Sequence, residues 1–396
     1  MKTINDFNFK DKKALVRVDF NVPQDSELKV TDNTRIQAVK PTIDKILNEG
    51  GAVILMTHLG RPKGKISEEF SLKNILPEIE KVLEKPVKFC SDCVGEKAKK
   101  MTGELQGGEI LLLENLRFHK EEELGDAIFA KQLAGLGDAY VNDAFGTAHR
   151  AHASTAIIAD NFPSTKFFGL LMAKELEAID KVLKSGDKPI TAILGGSKVS
   201  SKITIIENML PAIDNLIIGG GMAFTFIRAL GGDIGNSLVE VDKQTLALEI
   251  LQKAKVQNVK VYLPVDSIIA DDFNNEAERK EVDIFEIPDG WMGLDAGVRS
   301  RKIFHDVIMN SRTILWNGPI GVFEMSNFAD GTIALGESIA KATRLGAFSL
   351  VGGGDSVAFV KQFGYDEKVS YVSTGGGAML ESLEGMELPG VKAINS

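Results

Sequence analysis

The chain has 396 residues, 44% of them hydrophobic and 26% charged, with 39 glycines and a formal net charge of −9. That length allows two domains with separate cores, and the negative charge weighs against a nucleic-acid-binding surface, which needs a positive excess to neutralise phosphates. No apolar run reaches the ~18 residues of a membrane-spanning helix, and the first residues lack the apolar core of a signal peptide, so a cytoplasmic protein without membrane contact is expected.

Short apolar segments alternate with helical patterns along nearly the whole chain. Strands are expected at 14–20, 52–57, 87–89, 110–114 and 139–142, with crossover helices such as 35–48 and 72–83 between them. Segment 170–184 then carries apolar residues at helical spacing (Leu171, Met172, Leu176, Ile179, Val182, Leu183) and stops at Ser185-Gly186-Asp187. It reads as a rigid helix joining two domains, which makes hinge motion an expectation. Strands resume at 190–194, 215–219, 259–263, 313–316, 348–351 and 369–372. This rhythm predicts an α/β protein of two domains, each a parallel, Rossmann-like sheet covered by helices.

Ligands in such sheets sit beyond the carboxyl ends of the strands. In the first half those ends carry Asp19 and Asn21, His58 and Arg61, Arg117, and His149-Arg150-Ala151-His152, while Arg35 opens the first long helix. The chain has only 11 arginines, and four of them gather in this way. Their planar forks bind carboxylate and phosphate bidentately, so the cluster suits a small phosphorylated acid. Pairing of each arginine with a local acid is the competing reading. Arg17 lies inside its strand and reads as structural; spacing gives no reason to make His149 or His152 a base.

The second half replaces arginine with glycine. Gly195-Gly196-Ser197-Lys198, Gly219-Gly220-Gly221, Gly318, the 352–354 triplet and the 375–377 triplet each follow a strand. Backbone amides there, with Lys198 and Lys202 four residues apart on one expected helical face, suit a polyphosphate. Within Leu350-Val351-Gly352-Gly353-Gly354-Asp355-Ser356 an acid stands among those amides. It would repel phosphate unless a divalent metal sits between them, so the segment suggests a Mg-nucleotide site; a capped strand-to-helix turn is the plainer alternative. No G-x-x-x-x-G-K-[ST] and no G-x-G-x-x-G occurs, which disfavours a nicotinamide-dependent dehydrogenase. Cys90 and Cys93 form a single C-x-x-C with no histidine at zinc spacing, and read as two free thiols at a strand end.

Val16-Arg-Val-Asp-Phe-Asn-Val-Pro23, Thr57-His-Leu-Gly-Arg-Pro62, Glu114-Asn-Leu-Arg-Phe118, Asn142-Asp-Ala-Phe-Gly146, Ala148-His-Arg-Ala-His152, Gly195-Gly-Ser-Lys-Val199, Trp316-Asn-Gly-Pro-Ile-Gly-Val-Phe-Glu324 and Gly352-Gly-Gly-Asp-Ser356 resemble, in order, the signature segments of the phosphoglycerate kinase family, and the likeness extends to Glu384-Gly-Met-Glu-Leu-Pro-Gly390. The resemblance implies reversible phosphoryl transfer between 1,3-bisphosphoglycerate and ADP, with Mg²⁺ and domain closure, in a monomer. It implies domains at 1–170 for 3-phosphoglycerate and 185–380 for Mg-nucleotide, a joining helix at 171–184, and a 381–396 segment packing back on the first domain. Carried over motif by motif, the acid site would hold Asp19, Asn21, Arg35, His58, Leu59, Gly60, Arg61, Arg117 and Arg150. The nucleotide site would hold Gly195, Lys198, Lys202, Gly219, Gly293, Leu294, Asn317, Glu324, Gly353, Gly354, Asp355 and Ser356, with Asp355 on the metal. Arg35, Lys198, Gly354 and Gly376 would meet the transferring phosphoryl group. A catalytically silent binding protein on the same fold is the alternative, but it would be expected to lack Arg35, Lys198 or Asp355, and all three are present.

Overall fold

A computed structural model describes all 396 residues and divides into two compact units: Met1–Leu176 with Glu387–Ser396, and Glu177–Met386. The first unit is built on a six-stranded parallel sheet, ordered Val87–Cys90, Ile110–Leu113, Ala52–Met56, Lys13–Val18, Ala139–Asp143 and Lys166–Phe168. Strands such as Ile110–Leu113 and Ala52–Met56 are buried at every residue, which is why they read as continuous apolar runs without alternation. The edge strand Lys166–Phe168 is absent from the sequence reading. Three residues with a lysine first give no periodicity to detect, although Tyr140, Val141 and Asn142 pair with them.

Helix Thr34–Asn48 lays Ile36, Val39, Ile43 and Ile46 on this sheet. The expected helix at 72–83 is shorter, Leu76–Leu83, because Pro77 sits in its first turn, where a missing N–H costs nothing. The C-terminal helix Pro389–Asn395 belongs to the same unit: Gly390 N–H donates to the Ala148 carbonyl at 2.8 Å, and Ile394 is buried.

The second unit has its own six-stranded parallel sheet, ordered Lys260–Tyr262, Asn215–Ile218, Ile190–Leu194, Thr313–Asn317, Phe348–Val351 and Tyr371–Val372. Trp316 lies fully buried in its core, edge-on to Phe359 with ring centroids 5.4 Å apart. A second, antiparallel sheet of Arg279–Asp283, Asp266–Ala270 and Met292–Ala296 is an addition to the expected plan. Its outer strand is mostly polar and exposed, which hid it in the sequence. The chain passes between units inside helix Leu170–Asp180, which is followed by one wider helical turn, Lys181–Ser185.

Candidate active site

In the first unit the expected acid-site residues gather at one edge of the sheet. Asp19 and Asn21 follow Lys13–Val18, residues 58–61 follow Ala52–Met56, Arg117 follows Ile110–Leu113, and Arg150 follows Ala139–Asp143. Arg35 Nη1 donates to Asp19 Oδ2 at 2.9 Å and to the Asn21 carbonyl at 3.2 Å. Gly60 N–H donates to Asn21 Oδ1 at 2.9 Å, and Arg117 Nη1 to the Gly60 carbonyl at 2.9 Å. Gly60 has φ +61°, and a Cβ there would lie 2.3 Å from the Phe70 ring, so the turn requires glycine. Leu59 is buried beneath it. Arg61 and Arg150 are exposed with no ion-pair partner, leaving two guanidiniums available to an anion.

His58 lies 3.3 Å from Arg17 Nη2 through its Nδ1. Arginine only donates, so Nδ1 accepts and the ring proton sits on Nε2. Burial, reinforced by Arg17, Arg117 and Arg35, holds His58 well below the ordinary histidine range, so the ring is a neutral donor. Burial likewise lowers His152 to about 4, with Arg117 and Arg17 adding to it, so His152 is neutral as well.

Sequence reasoning missed what holds this edge in place. Asn115 Nδ2 donates to the Leu59 and Phe70 carbonyls at 2.8 and 2.9 Å, and its Oδ1 accepts the Arg117 N–H at 3.0 Å. Arg17 is fully buried: Nε donates to Ser154 Oγ at 2.9 Å, and that hydroxyl donates to Glu122 Oε1 at 2.6 Å. A buried arginine inside an apolar strand signals a buried acid elsewhere, but only the fold reveals that it is Glu122.

In the second unit, glycine at the strand ends lets backbones touch. A Cβ on Gly195 would sit 2.0 Å from the Pro319 carbonyl oxygen. Gly353 has φ +90°, and a Cβ there would sit 2.4 Å from Asn317 Nδ2. Asn317 Nδ2 donates to the Gly352 carbonyl at 2.8 Å and its Oδ1 accepts from Lys202 Nζ. Ser356 Oγ accepts the Gly318 N–H at 2.6 Å, so Ser356 braces the turn and is itself buried. The two lysines do not share a helix. The helix starts at Ile203, Lys202 precedes it half-buried, and Lys198 lies exposed in the preceding turn with no ion-pair partner. Burial lowers Lys202 from the usual lysine range, opposed by the Asp355 carboxylate.

Beside these turns is a cavity of about 520 Å³. Of the expected nucleotide residues, Gly219, Gly293, Leu294, Glu324 and Asp355 line it; Gly195, Lys198, Lys202, Asn317, Gly353, Gly354 and Ser356 do not, and neither does Gly376, expected to meet the transferring group. Phe224, Leu238 and Met292 supply an apolar wall that the sequence reading did not assign. Phe224 on its helix and Met292 on its strand are indistinguishable from core in the sequence, and Leu238 lies exposed in a loop with no periodicity to mark it. The antiparallel sheet brings Gly293 and Leu294 to the cavity, and Gly293 N–H donates to Ser237 Oγ at 2.9 Å.

Helix Gly354–Gln362 starts at this cavity with no side-chain cap, leaving first-turn amides open to an anion. The exposed Asp355 carboxylate in that turn has no hydrogen-bond or ion-pair partner. A hard oxygen donor beside anion-binding amides fits Mg²⁺, which takes one or two carboxylates and completes its shell with phosphates and water.

Residues 4–386 match the sequence profile described as phosphoglycerate kinase. The chain belongs to the phosphoglycerate kinase family. A phosphoglycerate kinase of Porphyromonas gingivalis is 54% identical over 99% of both chains, and one of Chloroherpeton thalassium is 49% identical over 100% of this chain and 99% of that one. The solved phosphoglycerate kinase structure from Coxiella burnetii superposes with TM-score 0.92 at 39% identity, covering 99% of this chain and 98% of that one. That from Pyrococcus horikoshii gives 0.83 at 33%, covering 100% and 98%. The family is one of phosphotransferases using ATP and ADP, so the silent-binder and dehydrogenase readings fall away.

Proposed function

We propose that the acid-binding edge of the first unit holds 3-phosphoglycerate and that the glycine turns and cavity of the second hold Mg-ATP or Mg-ADP. The observation that carries this reading is the segregation of groups. Arg35, Arg61, Arg117 and Arg150 belong to the first unit, while an apolar cavity beside uncapped amides and Asp355 belongs to the second. Arg61 and Arg150, with His58 Nε2–H, bind the phosphorylated acid, and Asp19 and Asn21 orient Arg35 and Gly60. The base rests against Phe224, Leu238 and Leu294, and the phosphates reach Lys202, Asn317 and the amides at Gly353 and Gly354.

The accepting carboxylate is ionised at neutral pH and needs no general base. The obstacle is repulsion between anions, so catalysis consists of positioning and charge shielding around a loose in-line transition state. Arg35 and Lys198, with the amides of Gly354 and Gly376, meet the transferring group. Asp355 would hold Mg²⁺, which would supply positive charge to the nucleotide phosphates. The protein acts in the cytoplasm as a monomer on these small molecules.

A coupled assay tests this directly, with 3-phosphoglycerate, ATP and Mg²⁺ supplied and NADH oxidation followed through excess glyceraldehyde-3-phosphate dehydrogenase. The wild type oxidises NADH only with all components, and Arg35→Ala loses about three to five decades in rate, as loss of a transition-state arginine does elsewhere. Full activity in Arg35→Ala would remove the arginine from the mechanism.

A further inference from the structure

The C-x-x-C at residues 90–93 plays no part in phosphoryl transfer, and the fold gives it a partner that sequence spacing hides. Cys90 ends strand Val87–Cys90, and the chain then turns through Asp92 and Cys93. His119 lies 26 residues beyond Cys93 in sequence, just before helix Lys120–Leu124. One ligand atom from each of Asp92, Cys93 and His119 falls within 4.8 Å of the other two. His119 Nε2 is 2.9 Å from Asp92 Oδ1, and that oxygen is fixed by the Cys93 N–H at 2.7 Å. The imidazole packs against Phe129 with ring centroids 5.2 Å apart. The Cys93 side chain is 1% exposed, and its sulfur makes no hydrogen bond, although it faces this polar pair. A buried thiol beside a histidine and a carboxylate brings together three donor types that ligate metal ions.

We propose that Asp92, Cys93 and His119 form a binding site for a thiophilic divalent cation, Zn²⁺ by donor type, with the fourth position open to water. Bonds of about 2.0–2.3 Å to a tetrahedral ion set ligand–ligand separations of about 3.3–3.8 Å. The His119 Nε2–Asp92 Oδ1 pair, 2.9 Å apart, therefore opens slightly, and no pair, all being within 4.8 Å, needs to close by more than about 1.5 Å. One sulfur, one nitrogen and one carboxylate oxygen select zinc over the magnesium of the nucleotide site, which prefers oxygen alone. On binding, the Cys93 thiol releases its proton to solvent. The imidazole, whose Nε2–H faces the Asp92 carboxylate before binding, gives that proton to solvent, takes one at Nδ1 and presents the Nε2 lone pair to the ion, while Asp92 exchanges its histidine hydrogen bond for the ion. Without the ion Cys93 is an inert thiol: burial pushes it well above the ordinary cysteine range, and Asp92 and Glu122 add to that.

The site would staple the turn after one strand to residue 119, two residues past Arg117 and at the head of the helix that carries Glu122 and Glu123. It therefore borders the acid-binding edge without contributing a group to it.

The test uses the full, untagged chain after chelator treatment, without nucleotide. Zn²⁺ is titrated against a chromophoric chelator, and Co²⁺ is added separately as a spectroscopic probe. One Zn²⁺ per chain is expected, with a thiolate-to-cobalt charge-transfer band and a higher melting temperature in Zn²⁺. Cys93→Ser should abolish the band, and the half-exposed variants His119→Gln and Asp92→Asn should weaken Zn²⁺ at least about tenfold. Asp355→Asn, in the other unit, should leave all three readouts unchanged. The proposal is overturned if no cobalt–thiolate band appears in the wild type, or if all three ligand variants bind Zn²⁺ as tightly as the wild type does. Loss of the band in Asp355→Asn would place the ion at the nucleotide site and overturn it equally.

Discussion

Ser154 is a small residue on which two buried charges depend. Its hydroxyl accepts from Arg17 and donates to Glu122, and its N–H donates to Glu122 Oε2 at 2.9 Å. Burial pushes the Glu122 carboxyl up, while Arg17 and the Ser154 hydrogen bonds pull against that. Ser154→Ala would leave one guanidinium donor and one carboxylate oxygen without that partner. The expected cost is about 1–3 kcal/mol, read as a lower urea midpoint with an unchanged slope. Because Arg17 also fixes the tautomer of His58, the same variant should raise KM for 3-phosphoglycerate and leave that for ATP unchanged. Equal shifts in both constants would contradict the placement of His58 in the acid site. At Gly353 the argument is steric. Gly353→Ala combines φ +90° with a Cβ 2.4 Å from the Asn317 amide, so nucleotide binding should weaken while the acid site keeps its affinity.

At the scale of elements, strand Ala139–Asp143 meets the start of helix Leu170–Asp180 through one acid. Asp143 Oδ1 accepts the Met172 N–H at 2.9 Å, and a Cβ on Gly169 would lie 2.2 Å from its carboxyl carbon. Burial raises Asp143 to about 7, against the hydrogen bonds it accepts. The unfolded chain releases this proton near pH 4, whereas the folded chain keeps it until about 7. Stability from this group is therefore full below pH 4 and is lost as pH rises to about 7, at roughly 1.4 kcal/mol per pH unit. Asp143→Asn keeps an acceptor for Met172 and removes the titration. Its melting temperature should fall less than that of the wild type between pH 5 and pH 7.5; parallel falls would show that Asp143 is ionised throughout. The legibility of the sequence divides along the same lines. Long, fully buried strands such as Ile190–Leu194 and the glycine turns after them could be read directly, because burial on both faces writes an unbroken apolar run. The antiparallel sheet, the Phe224 and Leu238 wall and the Arg17–Ser154–Glu122 network could not. Each depends on contacts between segments far apart in sequence, and its residues look like surface strand, core or isolated charge when read alone. The spacing of Lys198 and Lys202 misled for a related reason, since a four-residue interval places side chains together only when a helix is present.

For the molecule as a whole, the groups proposed to bind the acid and those proposed to bind the nucleotide belong to different compact units, and phosphoryl transfer requires the two substrates to meet. Bringing both together should compact the protein more than either does alone and exclude water from the acyl phosphate. Small-angle scattering should show the smallest radius of gyration with both substrates bound; the same radius in all states would contradict closure. The central claim is the division of binding between units, and isothermal titration of separate variants tests it most directly. Arg61→Ala should weaken 3-phosphoglycerate and leave Mg-ADP affinity as in the wild type, whereas Asp355→Asn should weaken Mg-ADP and leave 3-phosphoglycerate untouched. If Asp355→Asn weakened 3-phosphoglycerate alone, or Arg61→Ala weakened Mg-ADP alone, the two sites would have been assigned to the wrong units.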